Sequence, residues 1–240
     1  MSAVIEVDRV SKRFGALSVI DELSFSLEQG EALGVVGPNG AGKTTTLNMI
    51  AGDFRPTTGR VRFDGRDVTG LPAHRRCRIG IGRTSQVPRP FDGLTVFENV
   101  LVGASFGGAH RGHRARDVAV DALRRTGMLA KANVRAGELT LLERKRLELS
   151  RALSTEPKVL LLDEIAGGLT EGEVLELIDT IKSIHAAGVS IIWIEHIVHA
   201  LLKVVDRMLA MDYGRKLIEG DPHEVMASDE VKNVYLGTEA

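Results

Sequence analysis

Across 240 residues the sequence holds a single cysteine, Cys77. That excludes an internal disulfide and a zinc site built from cysteines. No apolar run approaches the ~18 residues of a membrane span. The opening stretch MSAVIEVDRV lacks a basic segment followed by an apolar one, so no signal peptide is expected. There are no repeats or low-complexity tracts. With 43% hydrophobic and 26% charged residues, collagen-like, coiled-coil and disordered classes are set aside. The cytoplasm is the simplest expected location. What remains is a globular chain whose length gives one to two domains at ~150 residues each. It can bury ~70% of its unfolded surface.

A strong net charge is also missing: the formal value is −1. The sum conceals a split. Residues 1–50 carry 4 Lys/Arg against 6 Asp/Glu, residues 51–150 carry 19 against 10, and residues 151–240 carry 8 against 16. A basic middle followed by an acidic end suggests differently built regions. The basic stretch could face nucleic acid or anionic lipid, or form a solvated Arg-rich surface.

Apolar patterning supplies the elements. Val4 to Val10 and Leu23 to Leu27 alternate as half-buried strands. Ala32–Val36, Val159–Leu162 and Val189–Ile194 are short, wholly apolar runs, which suit parallel strands covered on both faces. Arg60–Phe63 followed by Asp64-Gly65 reads as a hairpin with a tight primed turn. Val174, Leu177, Ile178, Ile181 and Ile184 recur at helical spacing behind a Thr170/Glu173 capping box. Strands and helices therefore alternate at both ends, giving an α/β core. Residues from about 92 to 150 lack strand signals, while Asp117–Arg125 and Arg144–Leu153 read as helices. Gly107–Gly112 reads as a loop. The expected organisation is one domain over residues 1–240, with a core of about 1–91 and 154–240 and an inserted helical subdomain of about 92–153.

The chemistry-bearing motif is Gly37-Pro38-Asn39-Gly40-Ala41-Gly42-Lys43-Thr44, a G-x-x-x-x-G-K-[ST] phosphate loop. It follows an apolar strand and precedes the helical run Thr45–Ile50, which is the context the motif requires. Its glycines let backbone N–H groups close on phosphate oxygens, and the helix N-terminus adds positive partial charge. Lys43 is expected to reach β- and γ-phosphates, and the Thr44 hydroxyl to hold Mg²⁺.

Downstream, Leu160-Leu161-Leu162-Asp163-Glu164 puts two acids at the end of a buried strand, where α/β sheets bind ligands. Asp163 fits a Mg²⁺-holding role and Glu164 that of general base on an attacking water. Strand ends with merely solvated acids are the alternative. Gln86 follows the stretch Ile79–Gly82, and its amide could ligate Mg²⁺ or orient water. His196 ends the run Val189–Ile194, where an imidazole could hydrogen-bond a γ-phosphate. His74, His110, His113, His185, His199 and His223 read as surface polar residues. The pairs His110/His113 and His196/His199 have no supporting cysteine or carboxylate pattern for a metal.

The order Lys43, Gln86, an Arg-rich helix start, Asp163-Glu164 and then His196 resembles the ATP-binding-cassette ATPases over nearly the whole chain. The resemblance implies an α/β, P-loop NTPase core with a mixed sheet, an antiparallel β-subdomain and an inserted helical subdomain. It implies that Phe14 stacks on adenine, that the loop Gly37, Pro38, Asn39, Gly40, Ala41, Gly42, Lys43, Thr44 and Thr45 contacts ATP, that Gln86 is the Q-loop residue, that Glu164 is the catalytic glutamate, and that His196 is the switch histidine. Arg83–Gln86 through Phe91–Val100, and Arg144–Leu153, look like the branched-chain amino-acid importer branch. Implied cofactors are ATP and Mg²⁺. Implied partners are a second ATPase subunit, transmembrane permease subunits and an extracytoplasmic solute-binding protein, with no nucleic acid. The implied location is peripheral, on the cytoplasmic face of the plasma (inner) membrane.

The family's signature, usually LSGGQ, falls on Leu139-Thr140-Leu141-Leu142-Glu143, where both glycines are absent. A β-carbon crowds the close backbone approach that glycine allows. Thr140 keeps a hydroxyl and, with Glu143, forms a capping-box pattern. Ile165 replaces the proline usual after the catalytic glutamate, Thr170 replaces the D-loop acid or amide, and Ser85 replaces a frequent aromatic. The expectation is a complete hydrolysis half and an altered signature half, so that a heterodimer would have two unequal sites. The rivals are a non-transport cassette ATPase acting on nucleic acid or ribosomes, a non-catalytic regulatory cassette, and a GTPase switch. The last would carry an N-K-x-D pattern that is absent.

Overall fold

A computed structural model describes residues 3–236. In chain order the strands and helices are β1 (Ala3–Phe14), β2 (Leu17–Glu28), β3 (Ala32–Val36), α1 (Lys43–Ala51), β4 (Thr58–Phe63), β5 (Arg66–Asp67), α2 (Ala73–Arg78), β6 (Ile81–Arg83), α3 (Val96–Val102), α4 (Gly112–Arg125), α5 (Leu141–Leu153), β7 (Val159–Asp163), α6 (Glu171–Ala186), β8 (Ser190–Ile194), α7 (Val198–Leu201), β9 (Arg207–Asp212), β10 (Arg215–Gly220), α8 (Pro222–Ala227) and α9 (Asp229–Leu236). The chain divides into two compact units. One runs up to Ala73 and resumes at Ser190; the other is His74–Val189.

The first unit holds two sheets. One is antiparallel, in the order β2-β1-β4-β5. Its β4–β5 turn is Asp64-Gly65 with φ of 47° and 73°, both left-handed as a primed two-residue turn demands. The β1–β2 hairpin is longer than the local alternation suggests and carries register shifts along its length. In the other sheet β3 pairs in parallel with both β8 and β9, while β10 pairs antiparallel with β9, so this sheet is mixed. Every residue of β3 and β8 is buried, which explains their unbroken apolar sequences. Gly34 lets β3 lie close to Val205, whose Cγ2 would stand 3.2 Å from an added Cβ.

The second unit pairs β6 with β7 in parallel. Between them the described residues form helices, turns and an isolated antiparallel bridge between Thr95 and Arg135. The helix α4 buries Ala115, Val118, Ala119, Ala122 and Leu123 on one stripe, and packs on α3 and α5. The hydroxyls of Thr126 and Ser150 meet at 2.6 Å, bridging the end of α4 to α5. A five-residue π-helix, Gly103–Gly107, follows α3. Gly103 is required there, because a Cβ would lie 2.3 Å from Ser154 Oγ. The helices α3, α5 and α6 each begin with a complete capping box, on Thr95/Glu98, Thr140/Glu143 and Thr170/Glu173.

Candidate active site

The phosphate-loop sequence connects β3 to α1 in the first unit. Gly37, Gly40 and Gly42 have φ of 148°, 86° and 95°, a region open to glycine at little cost. Two of them are also fixed by close packing. A Cβ on Gly37 would lie 2.2 Å from the Met211 carbonyl oxygen, and one on Gly42 would lie 2.4 Å from Ile20 Cδ1 and 3.0 Å from the Val19 carbonyl oxygen. The loop is thus clamped between β9 and β2 at backbone distance. The β9–β10 turn completes the clamp. Gly214 N–H donates to the Ala41 carbonyl at 3.1 Å, and Asp21 N–H donates to the Gly214 carbonyl at 3.0 Å.

Lys43 is the first residue of α1 and its side chain is only 6% exposed. Its Nζ donates to the carbonyls of Gly37 (2.6 Å) and Pro38 (2.9 Å), so the ammonium is folded over the loop's own backbone. Thr44 is exposed and Thr45 half-buried on the first turn of α1. Phe14, at the end of β1, is 44% exposed and packs edge-on against Phe54, centroids 5.3 Å apart, with Lys12 Nζ 4.9 Å from its ring centre. His196 is exposed just beyond β8, and its N–H donates to Glu195 Oε2 at 3.1 Å. Thus Phe14, the glycine loop, Lys43, Thr44, Thr45 and His196 are all carried by this unit.

The second unit carries Gln86, Thr140, Asp163 and Glu164. Asp163 is the last residue of β7 and is 1% exposed. Arg83, at the end of the paired strand β6, places its guanidinium 3.2 Å from Asp163 Oδ2. Glu164 follows with a φ of 47°. A non-glycine residue in the left-handed region costs about 1–3 kcal/mol and persists only where its surroundings impose it. Gln86 Nε2 donates to Glu164 Oε2 at 2.5 Å. The sequence expectation named Gln86 and Glu164 separately, and the fold brings them into direct contact.

Thr140 is the N-cap of α5. Its Oγ1 accepts from Glu143 N–H at 3.4 Å, and its own N–H donates to Glu143 Oε2 at 3.0 Å. That N–H, then the Lys131 ammonium 3.0 Å away, holds the Glu143 carboxyl below the usual glutamate value. Leu141 stands 41% exposed beside it, where the family pattern has glycine.

Two residues escaped sequence reasoning. Arg83 has no local signal, because its contact with Asp163 depends on the non-local pairing of β6 with β7. Tyr235 lies far along the chain in α9, yet its hydroxyl accepts the Gly37 N–H at 3.0 Å.

The sequence pattern of the family described as ABC transporter matches residues 20–167. The chain is 35% identical over 233 residues to a probable ABC transporter ATP-binding protein of Azorhizobium caulinodans, covering 96% of this chain and 82% of that one. It is 34% identical over 249 residues to the high-affinity branched-chain amino acid transport ATP-binding protein LivG of Salmonella typhimurium, covering 98% of each. It is 32% identical over 240 residues to the lipopolysaccharide export system ATP-binding protein LptB of Acidithiobacillus ferridurans, covering 99% and 98%. Among solved structures, the ADP conformation of an ATP-binding cassette of an ABC transporter superposes with a TM-score of 0.90 at 27% identity, covering 99% of this chain and 100% of that one.

Proposed function

Since the chain belongs to the ABC transporter family and is an ATP-hydrolysing cassette subunit with a P-loop NTPase fold, we propose that it powers import of branched-chain or other hydrophobic amino acids. The observation that carries the nucleotide half of this reading is the clamped glycine loop with Lys43 at its end. Amino-acid import is supported by the likeness to LivG and by the Arg83–Val100 and Arg144–Leu153 stretches. The similarity to an export-system subunit at 32% shows that identity alone does not select the solute.

In this reading the loop N–H groups cradle the phosphates, and the exchange of ligands at Lys43 is central. Its ammonium leaves the Gly37 and Pro38 carbonyls and takes β- and γ-phosphate oxygens. Phe14 offers an exposed ring face to adenine. The oxygen donors Thr44, Asp163 and Gln86 are the hard ligands that suit Mg²⁺, and Asp163 is held in place by Arg83. A Mg²⁺ ion held by these donors would neutralise charge on the nucleotide's phosphate oxygens. Glu164 takes a proton from a water whose oxygen attacks the γ-phosphorus, while the bond to the bridging β-oxygen breaks. The Gln86 amide, bonded to Glu164 Oε2, aims the carboxylate, and His196 donates to the γ-phosphate. Thr140 contributes through the N-terminus of α5.

The working assembly in this proposal is two cassettes, two permease subunits and an extracytoplasmic solute-binding protein, with this chain peripheral at the cytoplasmic face. No helix among the described residues is long and apolar enough to cross a membrane. The test is co-purification with membrane partners, followed by ATP-driven uptake in proteoliposomes. Uptake of leucine, isoleucine or valine that fails on Glu164→Gln supports the reading. A complex that hydrolyses ATP but moves none of these, while moving another solute class, overturns the substrate assignment.

A further inference from the structure

The phosphate loop is held from a side that the nucleotide reading does not use. The C-terminal helix α9 reaches it through Tyr235, whose hydroxyl oxygen accepts the Gly37 N–H at 3.0 Å. Gly37 is itself buried. A cavity of about 410 Å³ opens beside this contact, lined by Pro38, Asn39, Gly40 and Ala41 of the loop and by Tyr213, Asn233 and others of the β9–β10 turn and α9. The loop's outer face therefore borders open space, while β2, β9 and the β9–β10 turn clamp its other side. Three contacts at the start of the loop bear on this: the Met211 carbonyl, which fills the place a Gly37 Cβ would take, the Lys43 ammonium on the Gly37 carbonyl, and the Tyr235 hydroxyl on the Gly37 N–H.

These three differ in what happens when phosphate arrives. Lys43 must release the Gly37 carbonyl to reach an anion. The Met211 contact is repulsive packing and sets only a limit on one side. The Tyr235 hydrogen bond does not depend on that release: it continues to hold the Gly37 N–H, just beyond the point where Val36 pairs with Ala210 of β9. Burial pushes the Tyr235 phenol above its ordinary value of 10.0, so the hydroxyl stays protonated through the working pH range.

We propose that Tyr235 is a positioning residue for the phosphate loop, through which α9 sets the affinity of this cassette for nucleotide. This rests on the reading of Gly37–Thr44 as the nucleotide site. Losing the hydroxyl leaves the buried Gly37 N–H without its acceptor, or lets the peptide turn into the neighbouring cavity. A neutral hydrogen bond of this kind corresponds to roughly a 3- to 10-fold effect on an equilibrium.

The experiment is nucleotide titration of the full-length chain, by ADP and ATP fluorescence competition, for Tyr235→Phe, Tyr213→Phe and Lys43→Ala. Thermal melts with and without nucleotide and steady-state ATPase assays accompany it. Tyr235→Phe keeps the ring and is expected to raise Kd and KM roughly 3- to 10-fold while leaving kcat within about 2-fold. Tyr213→Phe, on the same cavity but 87% exposed, is expected to match wild type. A merely structural tyrosine would lower the nucleotide-free Tm and leave Kd unchanged, and that result overturns the proposal. Equal effects of Tyr213→Phe and Tyr235→Phe overturn it too, since the hydrogen bond would not then be the cause. Lys43→Ala separates the two readings. Retained ATP binding in Lys43→Ala refutes the nucleotide-loop reading itself, whereas its loss beside an unaffected Tyr235→Phe refutes only the role of Tyr235.

Discussion

A methyl group added at Gly37 tests the loop's packing against β9. In Gly37→Ala the new Cβ would stand 2.2 Å from the Met211 carbonyl oxygen and 3.3 Å from Ala41 Cβ. The first obstacle is backbone near the end of β9, a strand paired on both sides, with β3 in parallel and with β10 antiparallel, Met211 itself standing opposite Lys216. It cannot rotate aside as a side chain would. The φ of 148° adds a second penalty. Sparsely populated backbone costs about 1–3 kcal/mol, and forced overpacking about 1–3 kcal/mol more. Together they give about 2–6 kcal/mol, a large fraction of the ~5–15 kcal/mol that domains possess. At roughly 2–4 °C per kcal/mol for a chain of this size, Tm should fall by at least about 4 °C. Calorimetry of the nucleotide-free protein measures this, with Gly70→Ala as control. An added Cβ at Gly70 meets nothing within 4 Å, and surface changes of that kind stay within about 0.5 kcal/mol. A Gly37→Ala protein melting within 1 °C of wild type would refute the close-packed loop.

Other outcomes follow from the same geometry. Thr140→Ala removes the α5 N-cap and should cost about 1 kcal/mol in urea unfolding. Glu143 is held below the ordinary 4.5 chiefly by the Thr140 N–H. A carboxyl depressed in the folded state contributes stability that is present above the unfolded value of 4.5 and is lost as pH falls through the folded one. Glu143→Gln should therefore destabilise at pH 7, and the difference from wild type should shrink steadily below pH 4.5; a difference constant from pH 7 to pH 3 contradicts it. Replacing both Leu141 and Leu142 with glycine restores the family pattern, and should raise turnover of a heterodimer while costing stability: about 1 kcal/mol at the exposed Leu141, and about 2–5 kcal/mol more at Leu142, whose side chain is buried. If Glu164→Gln and the matching change in the partner cassette lowered turnover equally, the expected inequality of the two sites would be wrong.

Local chemistry was readable where residues close in sequence make the contact. The Thr140/Glu143 and Thr170/Glu173 capping boxes and the Asp64-Gly65 turn depend on partners one to three residues apart, and each is present, together with a third box at Thr95/Glu98 beyond the sequence expectations. The buried strands β3, β7 and β8 declared themselves through unbroken apolar runs. The β1–β2 hairpin was underestimated. Its distal half, through Lys12, Arg13 and Ser18, is ordered by cross-strand pairing and not by alternation of apolar residues. The start of α4 was missed for a related reason: no side chain caps it, so Arg111-Gly112-His113 carries no helical signal. The left-handed backbone at Glu164 and the contacts Arg83–Asp163, Gln86–Glu164 and Tyr235–Gly37 join residues 78 to 198 positions apart for the last two, and 80 for the first. Such pairs arise from topology, which single-residue patterns do not encode.

The most direct test of the account is ATP turnover by Glu164→Gln beside Lys43→Ala, each measured with equilibrium ATP binding on the assembled complex. Glu164→Gln is expected to bind ATP as tightly as wild type and to hydrolyse it at least about 100-fold more slowly, the scale of general-base catalysis. Lys43→Ala is expected to lose tight binding. ATPase activity that survives Glu164→Gln at wild-type rate would contradict the central claim that this carboxylate, held on its left-handed backbone at the end of β7, activates the water.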